Sequence, residues 1–258
     1  MNAILFEKKE HIGIITLNRP DERNALSLEL MGEMQKQLDF ISKNRDIRVV
    51  IIRGNGPAFC TGHNINELVG EDYDIDHFRD IFSKCSYLMQ FLQHMPQPVI
   101  AQVHGAALAA GCQLVAACDL AVADNKTMFS TPGVKIGLFC STPMVPLSRV
   151  IGRRRALDML LTGRFVFAEE AEKFGLVNKI VEPENLQEET ENLANDIAQF
   201  SLNTLEIGKK AFYRQINLDE GLAYDFTQEE IAKNCLTEDA QEGMKAFLEK
   251  RKPSWKNL

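Results

Sequence analysis

The stretch that decides the fold is residues 98–123, which read PVIAQVHGAALAAGCQLVAACDLAVA. An apolar run at 98–103 leads into small residues at 106–118, and a second apolar run follows at 120–123. The pattern predicts a buried strand, a helix of small residues over 106–118 and another buried strand. A strand, a helix and a strand in this order indicate a layered α/β core.

The rest of the N-terminal half continues this alternation, and the C-terminal part is helical. Apolar runs at 4–8, 13–17 and 49–52 predict strands, and helical spacing appears after Ser27 and over 75–94. We therefore expect a core over residues 1–195 and a C-terminal helical region over residues 196–258. Beyond residue 143, helices are predicted at 153–161, 168–174, 186–213, 222–236 and 241–251.

Composition excludes several classes of protein. The 258 residues carry 36 acidic and 29 basic side chains, a net charge of -7, which argues against a general affinity for nucleic acid or an anionic membrane. The six cysteines form no CxxC pair or zinc-type set, and the five histidines are scattered, so we expect no metal site. GxGxxG and GxxxxGK[ST] motifs are also absent, and no cofactor is expected.

The beginning of the chain, MNAILFEKKEHIGIITL, has acidic residues and strand-like runs where a targeting peptide needs a basic head and an apolar stretch. The most apolar tract, residues 106–123, contains Gln113 and Asp119 and falls short of the roughly 20 residues of a membrane helix. We expect a cytoplasmic protein with reduced thiols, or a mature protein of the mitochondrial matrix, and no membrane insertion.

Two glycine-containing segments carry the candidate chemistry. They read GNGPAFCTGHNI at 54–65 and HGAALAAGCQ at 104–113. Both place unpaired backbone N–H groups at a turn or helix start, beside small side chains that let a ligand approach. Two such donors aimed at one oxygen form an oxyanion hole. The alternative is that the small residues only allow helices to pack closely.

Six ordered blocks of the sequence resemble the enoyl-CoA hydratase/isomerase (crotonase) superfamily. The resemblance implies a crotonase fold with a repeated ββα core, a C-terminal helical region used for trimerisation, and a thioester carbonyl held by two backbone amides. The blocks are LNRPDERNAL at 17–26, VVIIRGNGPAFCTGHNINEL at 49–68, residues 98–123 quoted above, FSTPGVKIGLF at 129–139, LTGRFVFAEEAEKFGLVNKIV at 161–181 and EGMKAFLEKRKP at 242–253.

The resemblance also implies roles for individual residues. The two amides belong to His63 and Ala110, and the CoA part of an acyl-CoA substrate lies along Arg23–Ala25 and His63–Asn66, which includes Asn64 and Ile65. Lys250, in the basic run EKRKP, matches a CoA-binding lysine that acts from a neighbouring subunit of a homotrimer or homohexamer. The alternative is that this run is a solvated basic tail.

The resemblance breaks at the two positions where hydratases of the family carry glutamates, which are Gln113 and Gly133 in this chain. Neither residue exchanges a proton near neutral pH. General acid–base catalysis is worth about 100- to 10,000-fold, so we expect slow hydration. If the chain is a degenerate hydratase, the paired change Gln113→Glu with Gly133→Glu should raise its hydration rate.

Two other functions remain open. His63 lies in a GHN segment that resembles the GHD of malonyl-type CoA decarboxylases, whose histidine helps to place the departing carboxylate. Decarboxylation itself generates the enolate and needs no general base. Alternatively, only the backbone N–H of His63 matters and its ring faces solvent. The third function is a non-catalytic acyl-CoA binder or regulatory protein.

A few remaining side chains need an interpretation. Cys140 lies where relatives place groups that line the site, and no base or cation nearby indicates a nucleophile, so pocket lining is favoured. Asp119 is interpreted as a structural hydrogen-bonding residue. A carboxylate from elsewhere, such as Glu67 or the acidic stretch at 71–74, is the remaining source of acid–base chemistry.

Overall fold

A computed structural model describes residues 2–70 and 74–257. The strands are β1 (Ile4–Lys9), β2 (Ile12–Leu17), β3 (Val49–Gly54), β4 (Val99–Val103), β5 (Ala106–Leu108), β6 (Leu120–Asp124), β7 (Met128–Ser130), β8 (Val166–Phe167) and β9 (Lys179–Val181). The helices are α1 (Leu28–Ser42), α2 (Ile75–His94), α3 (Ala110–Ala117), α4 (Met144–Val150), α5 (Arg153–Thr162), α6 (Ala168–Phe174), α7 (Leu186–Ala198), α8 (Leu202–Gln215), α9 (Glu220–Cys235) and α10 (Glu238–Leu248).

The core is a six-stranded sheet in the order β1-β2-β3-β4-β6-β9. β1 pairs antiparallel to β2, and every other neighbouring pair in this sheet is parallel. β2 and β4 are buried at every residue, as expected for parallel strands covered on both faces. The layered α/β core predicted from the sequence is confirmed.

Helices cover both faces of this sheet. On one face, apolar residues of α1 and α2 pack with β2 and β3 in the larger core cluster. On the other face, α7 packs through Leu186, Ala194 and Ala198 against a second cluster. A smaller sheet, β5-β7-β8, lies beside the main sheet. No helix among the described residues is long and apolar enough to cross a membrane.

The small-residue stretch differs from its predicted form. A single helix was expected over 106–118, but Ala106–Leu108 forms strand β5 and the helix begins at Ala110. β5 pairs in parallel with β7, about 20 residues further along the chain, so tertiary pairing overrides the helical propensity of alanine. The extra strand places a sharp turn at Ala109.

The predicted helix over 186–213 is also two helices. α7 ends at Ala198 and α8 begins at Leu202, where the Ser201 side chain caps the new helix by accepting a hydrogen bond from the Thr204 N–H at 3.2 Å. The apolar spacing continues through the break, so periodicity alone could not reveal it. The serine cap was the local signal that marked the boundary.

Candidate active site

The first candidate donor lies at the beginning of α3. Ala109, just before the helix, has φ 48° and ψ −115°, and its N–H donates to the Ser130 carbonyl at 2.9 Å. The first N–H groups of a helix have no acceptor within the helix. The N–H of Ala110 accordingly meets no hydrogen-bond acceptor among residues 2–70 and 74–257. It is free to bind a ligand.

The second candidate donor comes from the segment after β3. His63 forms a parallel bridge with Leu26: the Leu26 N–H donates to the Gly62 carbonyl at 2.7 Å, and the Asn64 N–H donates to the Leu26 carbonyl at 3.1 Å. In such a bridge, the N–H of the central residue points away from the partner chain. No acceptor in the described part of the chain takes up the His63 N–H.

Two features hold these donors together. Cys60 bridges to β5, since its N–H donates to the Ala106 carbonyl at 3.1 Å and its carbonyl accepts the Leu108 N–H at 2.9 Å. Gly62 has φ 106°, and a Cβ atom there would lie 2.9 Å from the Ala109 Cβ and 3.5 Å from the Ala110 nitrogen. A glycine is therefore needed for the His63 segment to approach the beginning of α3 this closely.

A cavity of about 1070 Å³ opens beside both donors. Nine of the residues predicted from the sequence contribute to its wall, so the two glycine-containing segments and the block at 129–139 meet at one site. These nine are Arg23, Ala25, His63, Asn64, Ile65, Asn66, Ala110, Gly133 and Cys140.

Two predicted site residues do not line this cavity. Gln113 is 3% exposed, and its Oε1 atom is buried without a hydrogen-bond partner among the described residues. It lies one helical turn after Ala110, and its side chain belongs to the packed interior. Lys250 follows α10 and is exposed outside the cavity of its own chain.

The expectation that the His63 ring faces solvent is wrong, because the ring is packed against another aromatic side chain. The His63 ring meets the Phe82 ring edge to face, with 5.2 Å between the ring centres. Both ring nitrogens are buried and find no partner in the described residues. Burial lowers the pKa of His63 because the charged form is poorly solvated there. The ring is therefore uncharged near neutral pH.

Cys140 is a wall residue with a protonated thiol. Burial raises the pKa of Cys140, and a backbone hydrogen bond from Gly133 opposes this effect only in part. Cys112, in α3, is fully buried, and burial raises its pKa to about 12. No activating base is evident for either sulfur, which agrees with the interpretation of Cys140 as pocket lining.

Glu67 and Asp74, two other carboxylates considered from the sequence, do not line the cavity. Both oxygens of Glu67 accept the N–H of Leu28, at 3.0 and 3.2 Å, so this carboxylate caps the first turn of α1. Asp74 caps α2 by accepting the Asp76 N–H at 2.9 Å. Residues 71–73 of the acidic stretch lie outside the described residues. Asp21 and Glu22 do line the cavity, next to Arg23.

The sequence reasoning missed part of the wall. Phe82 comes from α2, which carried no motif, while Lys135 and the exposed apolar residues Ile136, Leu138 and Phe139 follow Gly133. The residues after Gly133 could have been predicted from the sequence, because they lie in the block at 129–139 that resembles the family. No group of three potential metal ligands occurs within residues 2–70 and 74–257.

Comparison with known proteins confirms the crotonase fold expected from the sequence and gives the family. The profile of the family described as Enoyl-CoA hydratase/isomerase matches residues 7–258. The chain belongs to this family, whose members act on CoA thioesters.

Particular relatives are similar over nearly the whole chain. Enoyl-CoA hydratase domain-containing protein 3, mitochondrial, from Xenopus laevis is 47% identical over 249 residues, which cover 96% of this chain and 84% of the relative. The crystal structure of human enoyl Coenzyme A hydratase domain-containing protein 3 superposes with a TM-score of 0.95 at 43% identity, over 98% of this chain and all of that one. An enoyl-CoA hydratase from Mycobacterium smegmatis superposes with a TM-score of 0.95 at 41% identity, over 98% of both chains.

Proposed function

We propose that the chain binds an acyl-CoA thioester with the thioester carbonyl oxygen between the N–H groups of His63 and Ala110. The observation that carries this proposal is the pair of unpartnered N–H groups, held together by the close approach of Gly62 to Ala109, beside a cavity of about 1070 Å³. Donors fixed in this way stabilise negative charge that develops on the oxygen during reaction.

We further propose that hydration of an enoyl-CoA is slow. Gln113 is buried away from the cavity and Gly133 has no side chain, so neither residue can deprotonate a water. The carboxylates that line the cavity, Asp21 and Glu22, lie just before Arg23–Ala25, the segment for which we propose contacts with CoA, and not at either glutamate position. The missing proton transfer lowers the rate by about 100- to 10,000-fold relative to an efficient hydratase.

Calorimetric titration with butyryl-CoA and a hydration assay with crotonyl-CoA test both statements. We expect saturable binding of butyryl-CoA and a low hydration rate. Failure to bind any acyl-CoA would reject the proposed site, and hydration as fast as in efficient enzymes would reject the argument from missing glutamates.

A backbone variant tests the donor itself. Ala110 is the first residue of α3, where the helix needs no N–H, and Ala110→Pro removes the donor at the cost of strain at Ala109, whose φ of 48° and ψ of −115° are unfavourable before proline. We expect this variant to bind butyryl-CoA more weakly and to lose about 100- to 1000-fold of any turnover. Glu220→Pro, at the first position of exposed α9, is the matched control. Circular dichroism checks that both variants fold.

A non-catalytic acyl-CoA binder is the second candidate, favoured by the lack of a proton-exchanging group at both glutamate positions. Decarboxylation of a malonyl-type CoA has less support. The His63 ring is uncharged and its nitrogens are buried, so a substrate carboxylate would meet no positive charge there. Binding without turnover across a thioester panel would favour the binder. Carbon dioxide release from methylmalonyl-CoA that is lost in His63→Ala would favour the decarboxylase.

We propose that residues 196–258 form an assembly region for a homotrimer or homohexamer. α9 has no buried residue, and Tyr224 and Phe247 are 70% and 82% exposed. Large exposed apolar surfaces of this kind mark protein interfaces. Lys250 would then contact CoA in the neighbouring subunit. Sedimentation velocity should show a trimer or hexamer that Tyr224→Glu with Phe247→Glu disrupts, and Lys250→Ala should weaken CoA binding.

For the location we propose a reducing compartment, either the cytoplasm or the mitochondrial matrix that the names of several relatives specify. All six cysteines are free, and five of them are buried. Fractionation of cells that express the protein distinguishes the two compartments.

A further inference from the structure

The ammonium group of Lys209, in α8, is buried, and the side chain is only 6% exposed. It donates three hydrogen bonds: to the Leu92 carbonyl at 2.7 Å, to the Gln97 carbonyl at 2.8 Å and to Oδ2 of Asp119 at 2.6 Å. An ammonium group has three donors, so all of them are used. A buried lysine with this set of partners is fixed in place.

Asp119 is equally well partnered. Its Oδ2 also accepts the Val99 N–H at 2.7 Å, and its Oδ1 accepts the Tyr213 hydroxyl at 2.8 Å. Burial lowers the pKa of Lys209 despite the attraction of Asp119, and burial together with this carboxylate raises the pKa of Tyr213. Buried ion pairs are costly to form and strongly destabilising to break from one side. The cluster of Lys209, Asp119 and Tyr213 therefore acts as one unit.

This cluster touches the far ends of two helices that flank the proposed oxyanion hole. Leu92 lies in the last turn of α2, whose Phe82 packs on the His63 ring. Asp119 comes directly after the C-terminal cap of α3, whose first residue is Ala110. The Lys209 ammonium group thus links α2, which packs on the His63 ring, to α3, which carries the Ala110 N–H.

We infer that Lys209 is a positioning residue for the oxyanion hole, because it fixes α2 and α3 relative to each other and to α8. The inference rests on the proposed function. α3 has eight residues and is about 12 Å long, so it transmits a displacement of its C-terminal end to Ala110 almost as a rigid rod. A misplacement of about 1 Å at a catalytic group costs about 100-fold in rate.

The test measures polarisation of the bound carbonyl separately from affinity. Infrared spectra of butyryl-CoA labelled with carbon-13 at the thioester carbonyl report the stretching frequency, which falls when two N–H groups bind the oxygen. Wild-type protein should lower this frequency. Lys209→Met should lose most of that shift while its dissociation constant for butyryl-CoA changes by less than about tenfold, because most of the binding surface is unaltered.

Lys210→Met is the matched control. Lys210 is the next residue of α8, and its ammonium group makes an exposed ion pair with Glu206 at 2.6 Å. This variant should show the full wild-type shift. Tyr213→Phe removes only the hydrogen bond to Asp119, and we expect it to lose an intermediate part of the shift. Circular dichroism and thermal unfolding establish which variants fold. If Lys209→Met does not fold, the carbonyl shift of Tyr213→Phe tests the positioning role instead.

The outcomes separate the two proposals. If wild-type protein binds butyryl-CoA without any carbonyl shift, the proposed oxyanion hole is wrong and the inference falls with it. If wild-type protein shows the shift and folded Lys209→Met shows the same shift, the oxyanion hole stands and the positioning role is overturned. If Lys209→Met does not fold and Tyr213→Phe shows the full wild-type shift, the positioning role is likewise overturned while the oxyanion hole stands.

Discussion

Gly133 and Cys140 approach each other so closely that a Cβ atom on residue 133 would lie 2.9 Å from the Cys140 sulfur. The same atom would lie 2.8 Å from the Leu138 carbonyl oxygen. Both distances are shorter than real Cβ contacts allow, and the carbonyl belongs to the backbone. The 138–140 segment therefore leaves no room for a side chain at position 133.

This contact reverses the expected result of restoring both glutamates. We predict that Gln113→Glu with Gly133→Glu does not raise hydration of crotonyl-CoA, because residue 133 has no room for a side chain. Overpacking of this kind should lower the free energy of unfolding by about 1–3 kcal/mol. Urea unfolding and the hydration assay measure the two effects, with Gln113→Glu alone as the control. A clear gain in rate that requires Gly133→Glu would contradict the steric argument.

The turn before α3 stores backbone strain at Ala109, whose φ of 48° favours glycine. We predict that Ala109→Gly raises the free energy of unfolding by about 1 kcal/mol, since relief of strain outweighs the added freedom of the unfolded chain. Ala106→Gly, at an ordinary φ in β5, should instead lower it by about 0.5–1 kcal/mol. Equal losses in both variants would show that Ala109 is not strained.

The buried imidazole of His63 should make stability depend on pH. Its pKa is lower in the folded protein, so the unfolded chain binds the proton more readily as the pH falls below about 6.5. The contribution of His63 is complete above that pH and declines below it. We predict that lowering the pH from about 7.5 to about 5.5 costs roughly 1 kcal/mol through this residue.

Chemical denaturation at the two pH values measures this effect. His63→Phe should remove that part of the pH dependence while keeping an aromatic ring against Phe82. His94→Phe, at an exposed position in α2, controls for the loss of an imidazole. An unchanged pH dependence in His63→Phe would mean that the folded protein protonates this ring as readily as the unfolded chain does.

The C-terminal tail caps the helix that carries Lys209. Oδ1 of Asn257 accepts the N–H of Leu202, the first residue of α8, at 2.8 Å, and the Trp255 indole N–H donates to the Gln199 carbonyl at 2.8 Å. We predict that Asn257→Ala lowers the free energy of unfolding by about 1–2 kcal/mol, because it leaves a buried helix donor unpaired.

The chain has one tryptophan, so fluorescence of Trp255 reports on this tail. Its emission should shift to longer wavelength at a lower denaturant concentration in Asn257→Ala than in wild-type protein. Asn125→Ala, at an exposed turn, should change stability by less than about 0.5 kcal/mol. Coincident transitions in wild type and Asn257→Ala would show that the tail does not stabilise α8.

Much of the site could be predicted from the sequence because its donors lie in continuous segments. The glycine-containing stretches at 54–65 and 104–113 pointed to backbone donors, and both segments meet at the cavity. The wall contributed by Phe82 could not be predicted, since α2 is remote in sequence from both segments. Strand β5 was missed for the same reason, as its formation depends on pairing with β7.

By itself, the sequence determined the family, the α/β alternation and the absence of glutamates at positions 113 and 133. These properties depend on residue identity and local periodicity. Only the tertiary structure decided that the His63 ring is buried against Phe82, that Cys140 and Leu138 fill the space beside Gly133, and that Lys209 pairs with Asp119 across 90 residues of chain. Burial and close approach depend on which distant segments pack together, and no local pattern in a single sequence records that packing.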